Sequence, residues 1–348
     1  MAEIPKFVIV GGFLGAGKTT LILKSAELLR QKGKRVGIIL NDQDSGLVDT
    51  RHAIARELIA REVAGGCFCC RFSELISMAR ELRACEPDFI FAEPVGSCID
   101  LNATVIRPIQ TIYHDEFTLA PLTVLLDPTV AQNLHAEPGN TDAAYLLTNQ
   151  LAEADLVCIT KQDLTPHPQT LPMPVDFHLS AKTGLGVEDW LDAALNSKRV
   201  VGARLLQPDY LRYAEAEAAL GWLNLHAALT FAVPKTPALV CGPLLDELQS
   251  SLTAADISIA HLKVFDRTPG GWIKASVCSN ADEPVPEGNL IAEPDGSHEL
   301  ALNVRAFGDP DDLRKLVSAA LDSLNGTVDI RHLSAFRPPP PKPEHRMS

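Results

Sequence analysis

The strongest constraint on this chain lies at its start. Lys6–Val10 (KFVIV) is a short apolar run of strand type. Gly11-Gly12-Phe13-Leu14-Gly15-Ala16-Gly17-Lys18-Thr19-Thr20 follows at once, and Thr20–Gln31 (TLILKSAELLRQ) has helical spacing. From Gly12 the segment satisfies GxxxxGK[ST]. Strand, glycine-rich turn and helix start, in that order, form a phosphate cradle. Glycines let successive backbone N–H groups converge on one concavity, and the helix N-terminus adds partial positive charge. Gly12, Gly15, Ala16, Gly17 and Thr20 are then expected to line the cradle. Lys18 would reach the β- and γ-phosphates, and the Thr19 hydroxyl would ligate magnesium.

The strand–helix alternation continues. Arg35–Leu40, Asp88–Ala92, Leu122–Leu126, Asp155–Thr160 and Val175–Leu179 are apolar runs, with helical periodicity over Glu74–Ala84, Ala143–Ala154 and Gly184–Leu195. Strands apolar on both faces and separated by helices predict an α/β fold: a doubly wound parallel sheet of the P-loop NTPase kind over residues 1–200. Ligand-binding residues should then sit at strand C-terminal ends. Residues 201–222 read as a helical linker, helical over Tyr210–Trp222. His226–Val233, Ile259–Asp266, Trp272–Cys278, Glu299–Phe307 and Val328–Phe336 read as strands, and Pro243–Leu252 and Asp311–Leu324 as helices. They predict a smaller C-terminal α+β domain over 223–336, an open sheet with helices on one face. The proline-rich tail, 337–348, reads as extended or disordered.

Further motifs fall at strand ends. Thr160-Lys161-Gln162-Asp163 closes the run DLVCIT. A carboxylate there can accept hydrogen bonds from the guanine N1–H and exocyclic amine, which adenine cannot supply. Asp163 is expected to fill that role, with the Lys161 stem stacked on the base. Ser180-Ala181-Lys182, after the next strand, offers backbone N–H to the guanine O6. Taken alone, TKQD is equally a helix N-cap beside a solvated lysine. Phosphate loop, TKQD and SAK in succession favour GTP over ATP. Glu93-Pro94-Val95-Gly96 follows DFIFA. Glu93 can hold magnesium or its water shell, and the Gly96 N–H can approach the γ-phosphate and swing on hydrolysis. An ordinary strand-to-loop turn is the plain alternative.

Gly65-Gly66-Cys67-Phe68-Cys69-Cys70 gathers three of the eight cysteines. Thiols this close pair poorly with one another as disulfides but can converge on a soft cation once deprotonated. Zinc is the default for thiolate-rich tetrahedral sites. Three thiolates leave one position for water, another side chain or a client's ligand, which suits a site that releases its metal. A cysteine-rich buried turn is the alternative. Cys85, Cys98, Cys158, Cys241 and Cys278 are dispersed and read as small core residues. His114 and His178 could each complete a coordination shell, although a lone histidine is more often packed or solvated.

Composition narrows the partners. A chain of 348 residues, 46% hydrophobic and 22% charged, can bury a core. Its net charge of −13 disfavours phosphate-backbone binding, so nucleic acid is not an expected partner. No run reaches the ~18 apolar residues of a membrane span, and no signal peptide is visible. Scattered thiols beside a nucleotide site imply a cytoplasmic setting.

GGFLGAGKTT, GGCFCC, EPVG and TKQD, in this order, resemble the CobW/HypB/UreG family of metallochaperone GTPases, and CxCC between phosphate loop and ExxG is similar to its CobW-like branch. The likeness is strong over residues 1–200. It implies a GTPase that binds a divalent transition metal, zinc or cobalt, at Cys67, Cys69 and Cys70. Metal or metallocofactor would pass to a client metalloprotein or metallocofactor enzyme as GTP is hydrolysed, and homodimers would form on nucleotide or metal binding. The resemblance also sets Asn41–Asp49 (NDQDSGLVD) where the family carries NExG…D, making Asp42 and Asp49 candidate magnesium or switch contacts. The chain departs from the family in having no histidine-rich tract and in the residues after ExxG, Ser97-Cys98-Ile99-Asp100-Leu101. Arg51, Arg56, Arg61 and Arg71 are each conceivable as an arginine finger. Two other readings stand beside this one. The first is a GTPase protecting a corrinoid-dependent enzyme without carrying metal. The second is a small-molecule kinase, in which TKQD and SAK would lack a purpose.

Overall fold

The computed structural model describes residues 4–44, 48–130, 142–164, 174–196 and 198–348. In chain order the elements begin with β1 (Lys6–Gly12), α1 (Lys18–Gln31), β2 (Val36–Asn41), α2 (Val48–Ala55), β3 (Ile59–Val63), α3 (Phe72–Arg83) and β4 (Phe89–Glu93). A π-helical turn, Asn102–Ile106, leads into α4 (Arg107–Ile112), β5 (Thr118–Leu119), β6 (Thr123–Leu126), α5 (Asp142–Glu153), β7 (Leu156–Ile159), β8 (Phe177–His178), α6 (Val187–Asn196) and α7 (Tyr210–Ala218). The remainder is β9 (Gly221–Lys235), α8 (Ala238–Ala254), β10 (Ser258–Thr268), β11 (Gly271–Val277), β12 (Glu287–Gly288), β13 (Asp295–Phe307), α9 (Pro310–Asp322) and β14 (Thr327–Phe336).

These elements form two compact units. One comprises Met1–Gln43, Glu57–Glu217 and Pro340–Ser348; the other comprises Asp44–Arg56 and Ala218–Pro339.

The first unit is the expected α/β fold. Its sheet runs β3-β2-β4-β1-β6-β7-β8, with β5 added to β1, and every pairing is parallel. All of β2 (VGIILN) and all but Lys6 of β1 are buried, which is why these strands read as unbroken apolar runs. The chain fills one side of β1 with β4, β2 and β3, and the other with β6, β7 and β8. β1 therefore flanks the topological switch point, where open parallel sheets bind ligands. Val175–Leu179 contributes only the two-residue edge strand β8.

The second unit is an antiparallel sheet ordered β12-β11-β10-β13-β9-β14. α8 and α9 share one core with it, Leu244, Leu248, Val317 and Leu321 packing with Leu223, Leu225, Leu302 and Val304. α2 meets different sheet residues: Val48 packs with Phe265 and Ala301, and its N–H donates to Asn303 Oδ1 at 3.0 Å. This helix, which follows β2 in sequence, thus belongs to the second unit. The helix expected over Tyr210–Trp222 ends at Ala218. Gly221 instead opens β9, where a Cβ would lie 2.5 Å from the Gly308 carbonyl oxygen.

Candidate nucleotide and metal site

The phosphate loop leaves β1 where Gly12 pairs with Leu125. Gly12 has φ +129°, and a Cβ there would lie 2.5 Å from the Leu125 carbonyl oxygen, so only glycine lets the loop start here. Gly17 holds the left-handed conformation at the N-cap of α1 (φ 91°, ψ 19°). A Cβ on it would meet nothing within 4 Å, so the loop is open at that point. Lys18 and Thr19 are buried in the first turn. Lys18 Nζ donates to the Gly12 carbonyl at 2.8 Å and the Phe13 carbonyl at 3.1 Å, which places the ammonium along the loop.

TKQD touches this loop directly. Thr160 Oγ1 donates to the Ala16 carbonyl at 2.9 Å. Lys161, at φ 55°, pairs its ammonium with Asp127 at 2.5 Å. Asp163 Oδ1 accepts from Ser180 Oγ at 2.6 Å, so the fold brings TKQD and SAK together; the Ser180 hydroxyl also accepts from the Thr183 N–H at 3.2 Å. Ala181 and Lys182 continue that turn.

Glu93 is buried at the C-terminal end of β4, in register with Leu40 of β2. Gly96 packs against the phosphate loop, where a Cβ would lie 2.8 Å from Leu14 Cδ2 and 3.0 Å from the Leu14 backbone nitrogen. Gln150 Nε2 pins this loop from α5 by donating to the Gly96 and Cys98 carbonyls, at 2.9 and 3.0 Å. Of the Asn41–Asp49 segment, residues 45–47 lie outside the described residues. Asp42 is buried just past β2, its Oδ1 accepting from the Gln43 N–H at 2.6 Å. Asp49 lies in α2 of the second unit, paired with Lys263. Burial pushes its carboxyl up, but Lys263 and Lys274 outweigh this and bring it down to about 2.

Gly65 and Gly66, both at positive φ, turn the chain from β3 into the cysteine motif. The Cys70 and Arg71 N–H groups donate to the Cys67 carbonyl, and α3 begins at Phe72. The Cys67 and Cys69 sulfurs are 2.8 Å apart, Cys67 and Cys70 3.3 Å, and Cys69 and Cys70 3.7 Å. Among the described residues these cysteines are the one group of metal-ligating side chains whose donor atoms all lie within 4.8 Å of one another. Four sulfurs held tetrahedrally at Zn–S of about 2.3 Å stand ~3.8 Å apart. The Cys69–Cys70 edge matches that spacing, and the two edges at Cys67 are shorter, so Cys67 must draw back from its neighbours to form a coordination face.

The thiols share their protons unequally. Hydrogen bonds from Cys69, then Cys70 and Cys98, hold Cys67 well below the ordinary thiol range, despite its burial. Cys69 is pushed well above that range by the same bonds and its burial, and Cys70 rises to about 11, chiefly through Cys67. The cluster thus concentrates thiolate character on Cys67, the shared vertex. Asn41 Nδ2 donates to the Val63 and Gly66 carbonyls, at 2.9 and 2.7 Å, tying the end of β2 to the turn that presents the cysteines.

Three features here escaped the reading of the sequence. Cys98 is buried as expected of a small core residue, and it helps to lower the Cys67 thiol. Glu217 of α7 is buried nearby and accepts from Ser97 Oγ at 2.5 Å and Gln43 Nε2 at 3.1 Å. Burial, then the Cys67 charge, raise Glu217 to about 8. The third is the tail. Lys342 N–H donates to Cys70 Sγ at 3.1 Å, and Glu344 N–H to the Cys69 carbonyl at 2.9 Å. The Glu344 carboxylate accepts from the Ser73 N–H at 2.9 Å, capping α3, which has no side-chain cap of its own at Arg71. Arg346 reaches the buried Asp100 at 2.8 Å. No motif announces these contacts, because each joins residues far apart in sequence. His114 and His178 are both exposed, and so is Cys85, while Cys278 is half-buried.

A parallel α/β sheet with a Gly-Lys-Thr cradle at its switch point defines a P-loop nucleotide-binding domain. More particularly, residues 6–174 match the family model of the CobW/HypB/UreG nucleotide-binding domain. The chain is 30% identical over 186 residues to the zinc chaperone CobW of Sinorhizobium sp, covering 47% of this chain and 52% of that protein. It is 28% identical to the urease accessory protein UreG of Metallosphaera sedula, covering 55% of this chain and 95% of that one. The chain spans about half the length of the zinc chaperones it matches. Among solved structures, nickel-bound HypB of Helicobacter pylori aligns with 59% of this chain and 92% of its own, at 16% identity and a TM-score of 0.41. Among the described residues, no helix is long and apolar enough to cross a membrane.

Proposed function

We propose that this chain is a GTP-hydrolysing metallochaperone: it binds zinc or cobalt as cargo at Cys67, Cys69 and Cys70 and delivers metal or metallocofactor to a client protein. The observation that carries this reading is the thiol triangle, tied through Asn41 to a strand of the sheet that bears the phosphate loop. In this reading the loop N–H groups and Lys18 hold the phosphates, and Asp163 with the Ser180–Lys182 turn selects guanine. Thr19 and Glu93 hold magnesium, which neutralises charge on the phosphates, and Asp42 serves as a switch contact. Catalysis is then positioning and electrostatics, with Gly96 reporting the γ-phosphate. The protein works in the cytoplasm, on a client metalloprotein or metallocofactor enzyme, without nucleic acid or membrane partners, and pairs with a second copy on nucleotide or metal binding.

The test is cobalt titration against a competing chelator, with GDP and then with a non-hydrolysable GTP analogue, alongside hydrolysis by wild type and Lys18→Ala. A coupling of about 1–3 kcal/mol is expected, roughly 5–150-fold in metal affinity, with the reciprocal effect on GTP. Equal metal affinity in both states would remove the transfer reading and favour a GTPase that protects a corrinoid enzyme. Undiminished hydrolysis by Lys18→Ala would remove the GTPase.

A further inference from the structure

The three thiols are not equally sheltered. Cys67 and Cys69 are buried and Cys70 is half-buried, so the approach to the triangle runs past Cys70. Residues 342–347 lie across that approach. Lys342 N–H donates to Cys70 Sγ at 3.1 Å, and Glu344 N–H to the Cys69 carbonyl at 2.9 Å. The Glu344 carboxylate accepts from the Ser73 N–H at 2.9 Å and from Ser73 Oγ at 2.5 Å. The His345 ring stands edge-on to Phe72, with 5.1 Å between centroids.

The same segment reaches the chain beyond Gly96. Arg346 donates to the Asp100 carboxylate at 2.8 Å and to the Leu206 carbonyl at 2.9 Å, and Met347 N–H donates to the Ala103 carbonyl at 2.8 Å. Ser73, Asp100 and Ala103 each have a local reason to need an outside partner. α3 lacks a side-chain cap at Arg71, so its first-turn N–H groups must be satisfied from elsewhere. Asp100 is wholly buried, where an unpaired carboxylate is costly. In the π-helical turn the Arg107 N–H goes to the Asn102 carbonyl, and the next donor in that register would be residue 108, a proline without an N–H. The helix therefore offers the Ala103 carbonyl nothing. Carboxylate, guanidinium and backbone N–H at 344, 346 and 347 meet these three needs in turn.

We propose that residues 342–347 form a strap that closes the cysteine site, and that cargo metal passes when the strap lifts. The proposal rests on the metal-binding reading above. The strap supplies no metal ligand, so lifting it changes how fast metal moves rather than what holds it. Its anchors lie on both α3 and the segment after Gly96, so a client that takes either anchor opens the site.

The test uses the full chain loaded with cobalt. Release into excess chelator is followed through loss of the thiolate charge-transfer band. Glu344→Ala and Arg346→Ala should each speed release roughly tenfold, and the double variant more, because each removes a charge-assisted hydrogen bond. The band should keep its position and intensity, since all three thiolates remain. Glu344 is exposed, so its variant keeps the test open should the loss at buried Asp100 unfold the others. Excess peptide spanning residues 340–348 should restore slow release, a rescue that a merely structural loss would not show. Folded variants that released cobalt at the wild-type rate would overturn the strap and leave the three-thiol reading standing. No charge-transfer band in wild type would instead remove the metal reading and this proposal with it.

Discussion

Replacing Thr160 by valine tests whether the TKQD strand end holds the phosphate loop in shape. The hydroxyl has one proton, and it lies 2.9 Å from the Ala16 carbonyl and 3.3 Å from the Leu126 carbonyl. The Leu126 carbonyl already accepts from the Thr160 N–H at 2.9 Å, so valine costs it little. Ala16 is buried, and its carbonyl loses its donor. A buried carbonyl left without a partner costs about 1–3 kcal/mol. Valine matches threonine in shape and opens no cavity, so the hydroxyl accounts for the change. Because Ala16 sits inside the phosphate loop, the loop must shift to solvate it. The same energy should appear in guanine nucleotide affinity, as a roughly 5–150-fold rise in Kd. The assay is urea unfolding together with titration of a fluorescent guanine nucleotide, on wild type, Thr160→Val and Thr160→Ser. Serine keeps the proton and should stay within about 0.5 kcal/mol of wild type. If valine matched wild type in both measurements, or serine were as poor as valine, the reasoning would be refuted.

Asp163→Asn should reduce the preference for GTP over ATP by roughly a hundredfold or more in competition binding, since the guanine donors lose their acceptor; an unchanged preference would place base selection elsewhere. Glu153, fully buried with Oε2 accepting from the Asn102 N–H at 3.0 Å, is raised to about 8, first by its burial and further by the Asp100 charge. The folded state therefore binds more protons than the unfolded state above the ordinary carboxyl range. This contribution to stability is full below about pH 4.5 and is lost as pH rises through about 8. Glu153→Gln should flatten that decline, gaining a few kcal/mol by about pH 8 and nothing near pH 4, read by denaturant unfolding at each pH; parallel curves for the two proteins would contradict it. Removing residues 342–348 takes away the Lys342 contact to Cys70 and should speed alkylation of Cys70 several-fold in metal-free protein, measured by peptide mass mapping. An unchanged rate would mean that the tail does not shield the thiol.

Reading the chain alone identified what short-range physics controls. The phosphate loop was legible because Gly12 and Gly17 must adopt backbone conformations that side chains disfavour, and because a strand and a helix bracket them. The parallel sheet was legible because β1 and β2 are buried on both faces. The three clustered cysteines announced themselves by crowding. What sequence could not assign were relations between distant segments. α2 follows β2 yet packs with Phe265 and Ala301, because so short a helix takes whichever apolar surface the fold supplies. The tail reads as a solvated proline segment, yet Glu344 caps α3 and Arg346 neutralises a carboxylate on Asp100 that is wholly buried. Cys98 looks like any small apolar residue until the fold buries it where Cys67 raises its thiol further. Local backbone geometry and periodicity are written in neighbouring residues. The meeting of Ser97 with Glu217 and of Thr160 with Ala16 exists only once the sheet has closed and burial has made each polar contact costly to lose.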